Sequence, residues 1–344
     1  MGKVKIVSVI ILSIILICAL SFLKTIEPGK GETTDVPAYN SNGHLIHMMD
    51  VSDTIMKKII SQNSVSKKST ILHLGNSQTQ SINQFKFGQT NFISKLSHLD
   101  TSHHYIASTL PNINLEEVKF LFDLWDQNIE IDKLLIPVFF DDLRETGLRN
   151  SVLRFNCCHD KDSSDNYDLD NKSFFSINYR IGEAIDLNFT DWLSNFSFYS
   201  VKSEIRSQLF VYLYKMRNTI FRIKPTTERK MIAPSYEKNW RALESLILDS
   251  KKKNILTFLY IPPIRNDVQP PYDLIEYNEF KEKLNLISEN NSNVYLMNFE
   301  NIVPYEFWGM KAGTSLENLM EIDFMHFRDE GHQILAAELN KFLN

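Results

Sequence analysis

From Ser69 to the C-terminus, apolar runs of strand length alternate with stretches whose apolar residues recur every three or four positions. The runs Thr70–Leu74, Tyr105–Ser108, Lys133–Phe140, Asn254–Ile261 and Asn293–Phe299 predict strands. The periodic stretches Leu115–Gln127, Ser203–Phe221, Glu237–Ser250, Leu274–Glu289 and Asp329–Phe342 predict helices. Strands separated by helices predict an α/β fold with a parallel sheet covered on both faces. Right-handed crossovers then gather the strand C-termini on one edge, where open sheets of this kind bind ligands.

Two regions depart from the alternation. Near the start, Lys3 and Lys5 precede the uncharged run Ile6 to Leu23, eighteen residues long, which Lys24 closes. That length approaches what a helix needs to cross a bilayer, and Ser21-Phe22-Leu23 is a poor cleavage site. Residues 1–24 therefore predict an uncleaved signal anchor, a single-pass segment with its N-terminus cytoplasmic and the body of the protein extracytoplasmic. Residues 25–66 hold Pro28, Gly29, Gly31 and Pro37, then a short amphipathic piece around Val51 to Ile60, and predict a stem. The domain proper is expected over 67–344. Within it, residues 150–235 form an insertion: a polar loop from His159 to Lys172, an aromatic stretch through Trp192, Phe196, Phe198 and Tyr199, and a long helix. Those aromatics either cap a site or pack the insertion onto the sheet.

Composition adds mainly exclusions. With 43% apolar and 12% aromatic residues in 344, the chain can build a substantial core. A net charge of -5 and the lack of a basic stripe argue against a nucleic-acid surface, so no nucleic-acid partner is expected. Three cysteines, two of them the neighbours Cys157 and Cys158, are too few for a disulfide framework, and CxxC or HxxxH metal spacing is absent.

The chemistry-bearing residues lie at the two ends of the α/β pattern. Gly75-Asn76-Ser77 follows the first predicted strand directly, and glycine lets the chain turn sharply out of the sheet. Ser77 then falls near the start of the next helix, where free N–H groups and the helix dipole favour a developing oxyanion. Asp323-Phe324-Met325-His326 precedes the last helix. Its spacing, in an extended turn or a first helical turn, brings carboxylate and imidazole to one side. Asp323 can accept from Nδ1–H of His326 and leave Nε2 to take a proton from Ser77. The plainer alternatives are that Asn76, Ser77 and Thr79 are turn and capping residues, and that Asp323 and His326 are a surface carboxylate and a core or capping histidine. Of the other histidines, His73 is expected to be buried and structural, His103 and His104 solvated, and His332 an ordinary helix residue.

In these two blocks the sequence resembles the SGNH (GDSL-like) hydrolase superfamily. Gly75-Asn76-Ser77 looks like its first block and Asp323-Phe324-Met325-His326 like its last. Asparagine before the serine is familiar in membrane-anchored branches that acylate cell-surface polymers, such as the alginate acetylation and D-alanyl transfer proteins. The resemblance implies a flavodoxin-like three-layer fold, no metal, no cofactor, and Ser77, His326 and Asp323 as a catalytic triad. It also implies esterase or O-acyltransferase activity on a polysaccharide, with a membrane-bound O-acyltransferase as a candidate partner. For the oxyanion and substrate contacts it points to Gln78, Asn112, Asp142 and Arg144. Asn112 stands where glycine would be usual. The asparagine expected after the third strand is missing, and Arg144, fixed by Asp141 or Asp142, offers a cationic donor in its place. A structural Asp–Arg pair fits the same residues. The missing asparagine leaves open a third possibility, a non-catalytic glycan-binding or assembly factor on the same scaffold.

Overall fold

The computed structural model describes residues 33–63, 68–159, 202–317 and 320–344. The predicted anchor, the polar loop beyond His159 and the aromatic stretch of the insertion lie outside the described residues. Among the described residues, no helix is long and apolar enough to cross a membrane.

The described residues fall in two compact units. The larger is built on a six-stranded, wholly parallel sheet of β2 (His47–Met48), β5 (His104–Thr109), β3 (Thr70–Gly75), β6 (Lys133–Pro137), β7 (Leu256–Ile261) and β8 (Val294–Asn298), in that spatial order. Consecutive strand residues point to opposite faces, so a strand buried on both sides must be apolar throughout. Leu72 and Leu74 of β3 face one core and Ile71 faces the other. On the first face pack α1 (Asp53–Asn63), α4 (Leu115–Asp126), α7 (Ala233–Lys252) and α8 (Leu274–Asn290), with Trp125, Trp240 and Phe280 fully enclosed. On the second pack α3 (Phe92–Leu99) and α9 (Asp329–Leu343), through Phe92, Leu96, Leu335 and Leu339. Each such side chain stabilises the fold by roughly 1.5–3 kcal/mol. The result is three layers around a parallel sheet.

Two small antiparallel ladders complete this unit. β1 (Thr33–Asp35) pairs with β4 (Ser81–Asn83), and β9 (Trp308–Lys311) pairs with β10 (Glu321–Phe327). The smaller unit contributes, among the described residues, α6 (Lys202–Ile220) and residues 313–317, joined by the Asn218 carboxamide on the Thr314 carbonyl at 3.0 Å and by the Leu316 amide on Thr219 Oγ1 at 2.9 Å. α5 (Asn150–His159) ends the described part that precedes it in sequence.

Several expectations need correction. Residues 33–63 do not stand apart as a stem: they supply the edge strand β2, and Ala38, Ile46, Met56 and Ile59 are buried. The strand expected over Lys133–Phe140 ends at Pro137, because Phe139 and Phe140 leave the ladder and lead into a 3₁₀ turn at Asp141–Leu143. Asn254, expected in a strand, has φ +59 and terminates α7 instead. His103 is not free in solvent, since its Nδ1 pairs with Asp100 at 2.6 Å.

Candidate active site

Ser77 sits just beyond the C-terminal end of β3, on the edge where the parallel strands end. Gly75 makes that exit possible. A Cβ there would come within 2.7 Å of both His73 Nε2 and Thr79 Oγ1, which are hydrogen-bonded to each other at 2.9 Å across the turn. His73 is fully buried, and burial lowers its pKa to about 3, so it serves as a neutral brace, as expected of a strand residue. Asn76 caps the turn: its backbone is extended and its Oδ1 accepts from the Gln78 amide at 3.0 Å. Its Nδ2 donates to Asp142 at 3.4 Å.

The helix after Ser77 is shorter than expected. It is a single turn, α2 (Ser77–Gln80), and β4 begins at Ser81. A turn of four residues carries little macrodipole, so the help available to an oxyanion comes from individual amides. The Ser77 amide, first in the turn, has no intrahelical acceptor.

Asp323 and His326 occupy a strand, β10, and not a helical turn. The β9–β10 register is irregular between Ile322 and Phe327, and this bulge turns both side chains the same way. The Asp323 Oδ1 accepts the amides of Met325 at 2.9 Å and His326 at 3.1 Å. Its Oδ2 accepts His326 Nδ1–H at 3.0 Å, and Asn83 Nδ2–H at 3.3 Å. Burial opposes ionisation of this carboxyl, yet the His326 hydrogen bond and the Met325 amide hold its pKa down at about 2. An ionised Asp323 can only accept, so the proton sits on Nδ1 and the Nε2 lone pair faces outward. Nε2 lies 3.1 Å from Ser77 Oγ. The three side chains thus form one hydrogen-bonded line from carboxylate to hydroxyl.

The remaining candidates are arranged differently from expectation. Gln78 is buried and both of its carboxamide hydrogens are engaged, on the Pro263 and Met325 carbonyls at 2.8 Å each. It is a brace that ties the serine turn to β10, with no donor left for a substrate. Asp142 is buried and takes Asn76 Nδ2 and the Phe139 amide, each at 3.4 Å. Burial pushes its pKa well above the usual carboxylate range, so it does not fix Arg144 as an anion. Asp141 does so instead, with Arg144 Nη1 at 3.3 Å, Arg229 Nη1 at 2.5 Å and the Tyr272 hydroxyl at 3.0 Å. Arg144 Nε meanwhile donates to the Lys230 carbonyl at 3.0 Å, the structural pair that the sequence also allowed. Asn112 adopts φ +50, in the left-handed region where glycine is common. The loop carrying it starts beside the serine turn, where the Leu110 amide donates to the Gly75 carbonyl at 3.1 Å.

Asn83 and Gly309 went unnoticed in the sequence. Asn83, fully buried, donates to Asp323 and to the Met310 carbonyl at 2.9 Å. A Cβ on Gly309 would fall 1.8 Å from Asn83 Oδ1, so only glycine lets β9 pass this close. His332 is more than a helix residue: its Nδ1 accepts the Phe92 amide at 3.2 Å and its Nε2 donates to the Ser81 carbonyl at 3.3 Å.

No protein-family model and no curated protein matches this chain. Among solved structures, the chain is similar to an acetylxylan esterase from Geobacillus stearothermophilus at 10% identity, with 79% of this chain and 93% of that one covered and a TM-score of 0.37. It is also similar to a GDSL-like lipase from Bacteroides thetaiotaomicron at 9% identity, with 83% and 96% covered and a TM-score of 0.38.

Proposed function

We propose that this chain is a serine esterase or O-acyltransferase that works on acyl esters of a polysaccharide through Ser77, His326 and Asp323. The observation that carries the reading is the 3.1 Å approach of His326 Nε2 to Ser77 Oγ, backed by the buried, ionised Asp323. Ser77 Oγ attacks the ester carbonyl carbon while its proton passes to Nε2. Asp323 stays anionic and stabilises the imidazolium through Nδ1–H. The tetrahedral oxyanion accepts from the Ser77 amide, with the Asn112 amide as the second donor. Collapse breaks the bond to the leaving alkoxide, which takes the proton from His326 and leaves an acyl-Ser77 ester. Water then completes hydrolysis, or a sugar hydroxyl completes transfer, each giving up a proton to His326.

The location follows the N-terminal pattern: a signal anchor over Ile6–Leu23 holds the body outside the cytoplasm, close to a membrane-bound O-acyltransferase that could supply acyl groups. The second reading, a glycan-binding or assembly factor without catalysis, is favoured by one observation. Gln78 spends both carboxamide hydrogens on the Pro263 and Met325 carbonyls and so offers no side-chain oxyanion donor, while Arg144 is drawn onto Asp141 and the Lys230 carbonyl. A fluorophosphonate probe decides between the two, since it captures a serine activated by its base. Labelling mapped to Ser77 supports the enzyme; an unlabelled, folded protein favours the binding factor. Acetate release from an acetylated glycan, with and without an acceptor sugar, then separates esterase from transferase.

Asn83→Leu offers a finer test of the triad's support. It keeps the number of side-chain heavy atoms and removes two hydrogen bonds, one to the Met310 carbonyl and one to the charged Asp323, the latter about 1.5–3 kcal/mol. The labelling rate at Ser77 should fall by roughly 10- to 100-fold with the fold intact by circular dichroism. An unchanged rate would mean that Asp323 needs no help from Asn83.

A further inference from the structure

A cleft of about 490 Å³ opens beside the loop that follows β7, between that loop, α8 and the end of β8. That size suits a ligand of one or two sugar rings or a comparable small molecule. The cleft shares the sheet edge with Ser77 and is tied to the site at two points. The Pro263 carbonyl, just ahead of the lining residues, takes the Gln78 carboxamide, and Arg265 Nη1 on the rim donates to the Gly309 carbonyl at 2.8 Å.

Its lining is chemically specific. The two cations are matched by two carboxylates: Arg265 forks onto Asp267 at 2.6 and 2.9 Å, and Lys281 sits 3.4 Å from Glu300 while resting over the Tyr277 ring. Three of the five Arg265 N–H groups are engaged within the protein, and Asp267 occupies the Nε–Nη2 fork, so the guanidinium charge is already compensated where it meets the cleft. What remains on the rim are the exposed carboxamides of Asn266, Gln269, Asn278 and Asn301, each offering a donor and an acceptor without charge. Beneath them lie the buried apolar surfaces of Ile264 and Tyr277. Carboxamides above an apolar floor, with local charge cancelled, suit the hydroxyls and C–H face of an uncharged sugar.

We propose that this cleft is the carrier-sugar subsite and that it takes a neutral saccharide, in preference to an acidic glycan. The proposal builds on the esterase reading of Ser77, but its test is separable from that reading. The full chain with Ser77→Ala is run through native gels containing soluble β-glucan, glucomannan or arabinoxylan, or alginate as the anionic comparison. At least one neutral polymer should retard the protein, with alginate giving no more retardation than a blank gel. Asn278→Ala with Asn301→Ala changes two exposed side chains and leaves the core untouched; it should weaken retardation at least fivefold. Retardation by alginate alone, by none of the polymers, or undiminished in the double variant overturns the proposal. In a background with Ser77 intact, the double variant should label with fluorophosphonate as fast as wild type. Failure of labelling in wild type counts against the esterase reading, whatever the gels report.

Discussion

On the proposed esterase reading, Ser77→Ala should lower ester turnover by roughly 10⁴- to 10⁶-fold, the loss expected when the nucleophile of a serine triad is removed. Far-ultraviolet dichroism and the thermal midpoint stay close to wild type, because Ser77 is half-buried and its hydroxyl is held by His326 alone among the triad partners. Asp323→Asn is the companion variant. Asparagine fits the same space, but its neutral carboxamide no longer stabilises an imidazolium and can hold His326 in the wrong tautomer, a defect of about 10⁴-fold in triads of this kind. A Ser77→Ala protein that retains more than a tenth of the activity would place the chemistry elsewhere in the molecule.

The second large effect is on stability in acid. His47, His73 and His332 are fully buried, and burial holds each pKa near 3 against an ordinary value of 6.5. Their nitrogens are used as neutral partners, on Thr109 Oγ1 at 2.8 Å, on Thr79 Oγ1 at 2.9 Å and on the Phe92 amide at 3.2 Å. Between pH 6.5 and about 3 the unfolded chain binds three protons that the folded chain refuses, so stability falls as pH falls. Each histidine contributes a slope of about 1.4 kcal/mol per pH unit, about 4 kcal/mol for the three together. A domain of ordinary stability, about 5–15 kcal/mol, would exhaust its margin within a few units below pH 6.5. Asp142, with its raised pKa, works in the opposite sense, because its burial penalises the fold as pH rises above the carboxylate range. Urea unfolding at pH 7, 6 and 5 measures the slope, and a stability that is flat over that range would show that the three rings accept protons in place. His332→Gln should lower the slope by about 1.4 kcal/mol per pH unit.

Much of the scaffold could be read from periodicity, for a definite reason. Strands such as Thr70–Gly75 and Leu256–Ile261 are buried on both faces and must be apolar throughout, while helices such as α4 and α9 must carry an apolar stripe. β2, β9 and β10 escaped notice because they are short or irregular, so their pairing depends on partners far along the chain. The same divide runs through the site. That Ser77, Asp323 and His326 could meet was legible from their places after a strand and before the last helix, and the structure brings them within hydrogen-bond distance. Gln78 was legible as a residue and misjudged as a group, since its partners on Pro263 and Met325 come from a distant loop and a distant strand. Asn83 gave no local sign at all: its meaning arises only when Gly309 and Asp323 close around it.

Ser77 and His326 hang from different ladders. Ser77 leaves the six-stranded sheet, whereas His326 belongs to the two-stranded β9–β10 pair. A short two-stranded ribbon is marginal by itself and leans on what it touches. Their 3.1 Å contact therefore depends on how that ribbon is docked, and a variant that loosens β9–β10 would draw imidazole and alcohol apart even where the six strands keep their register.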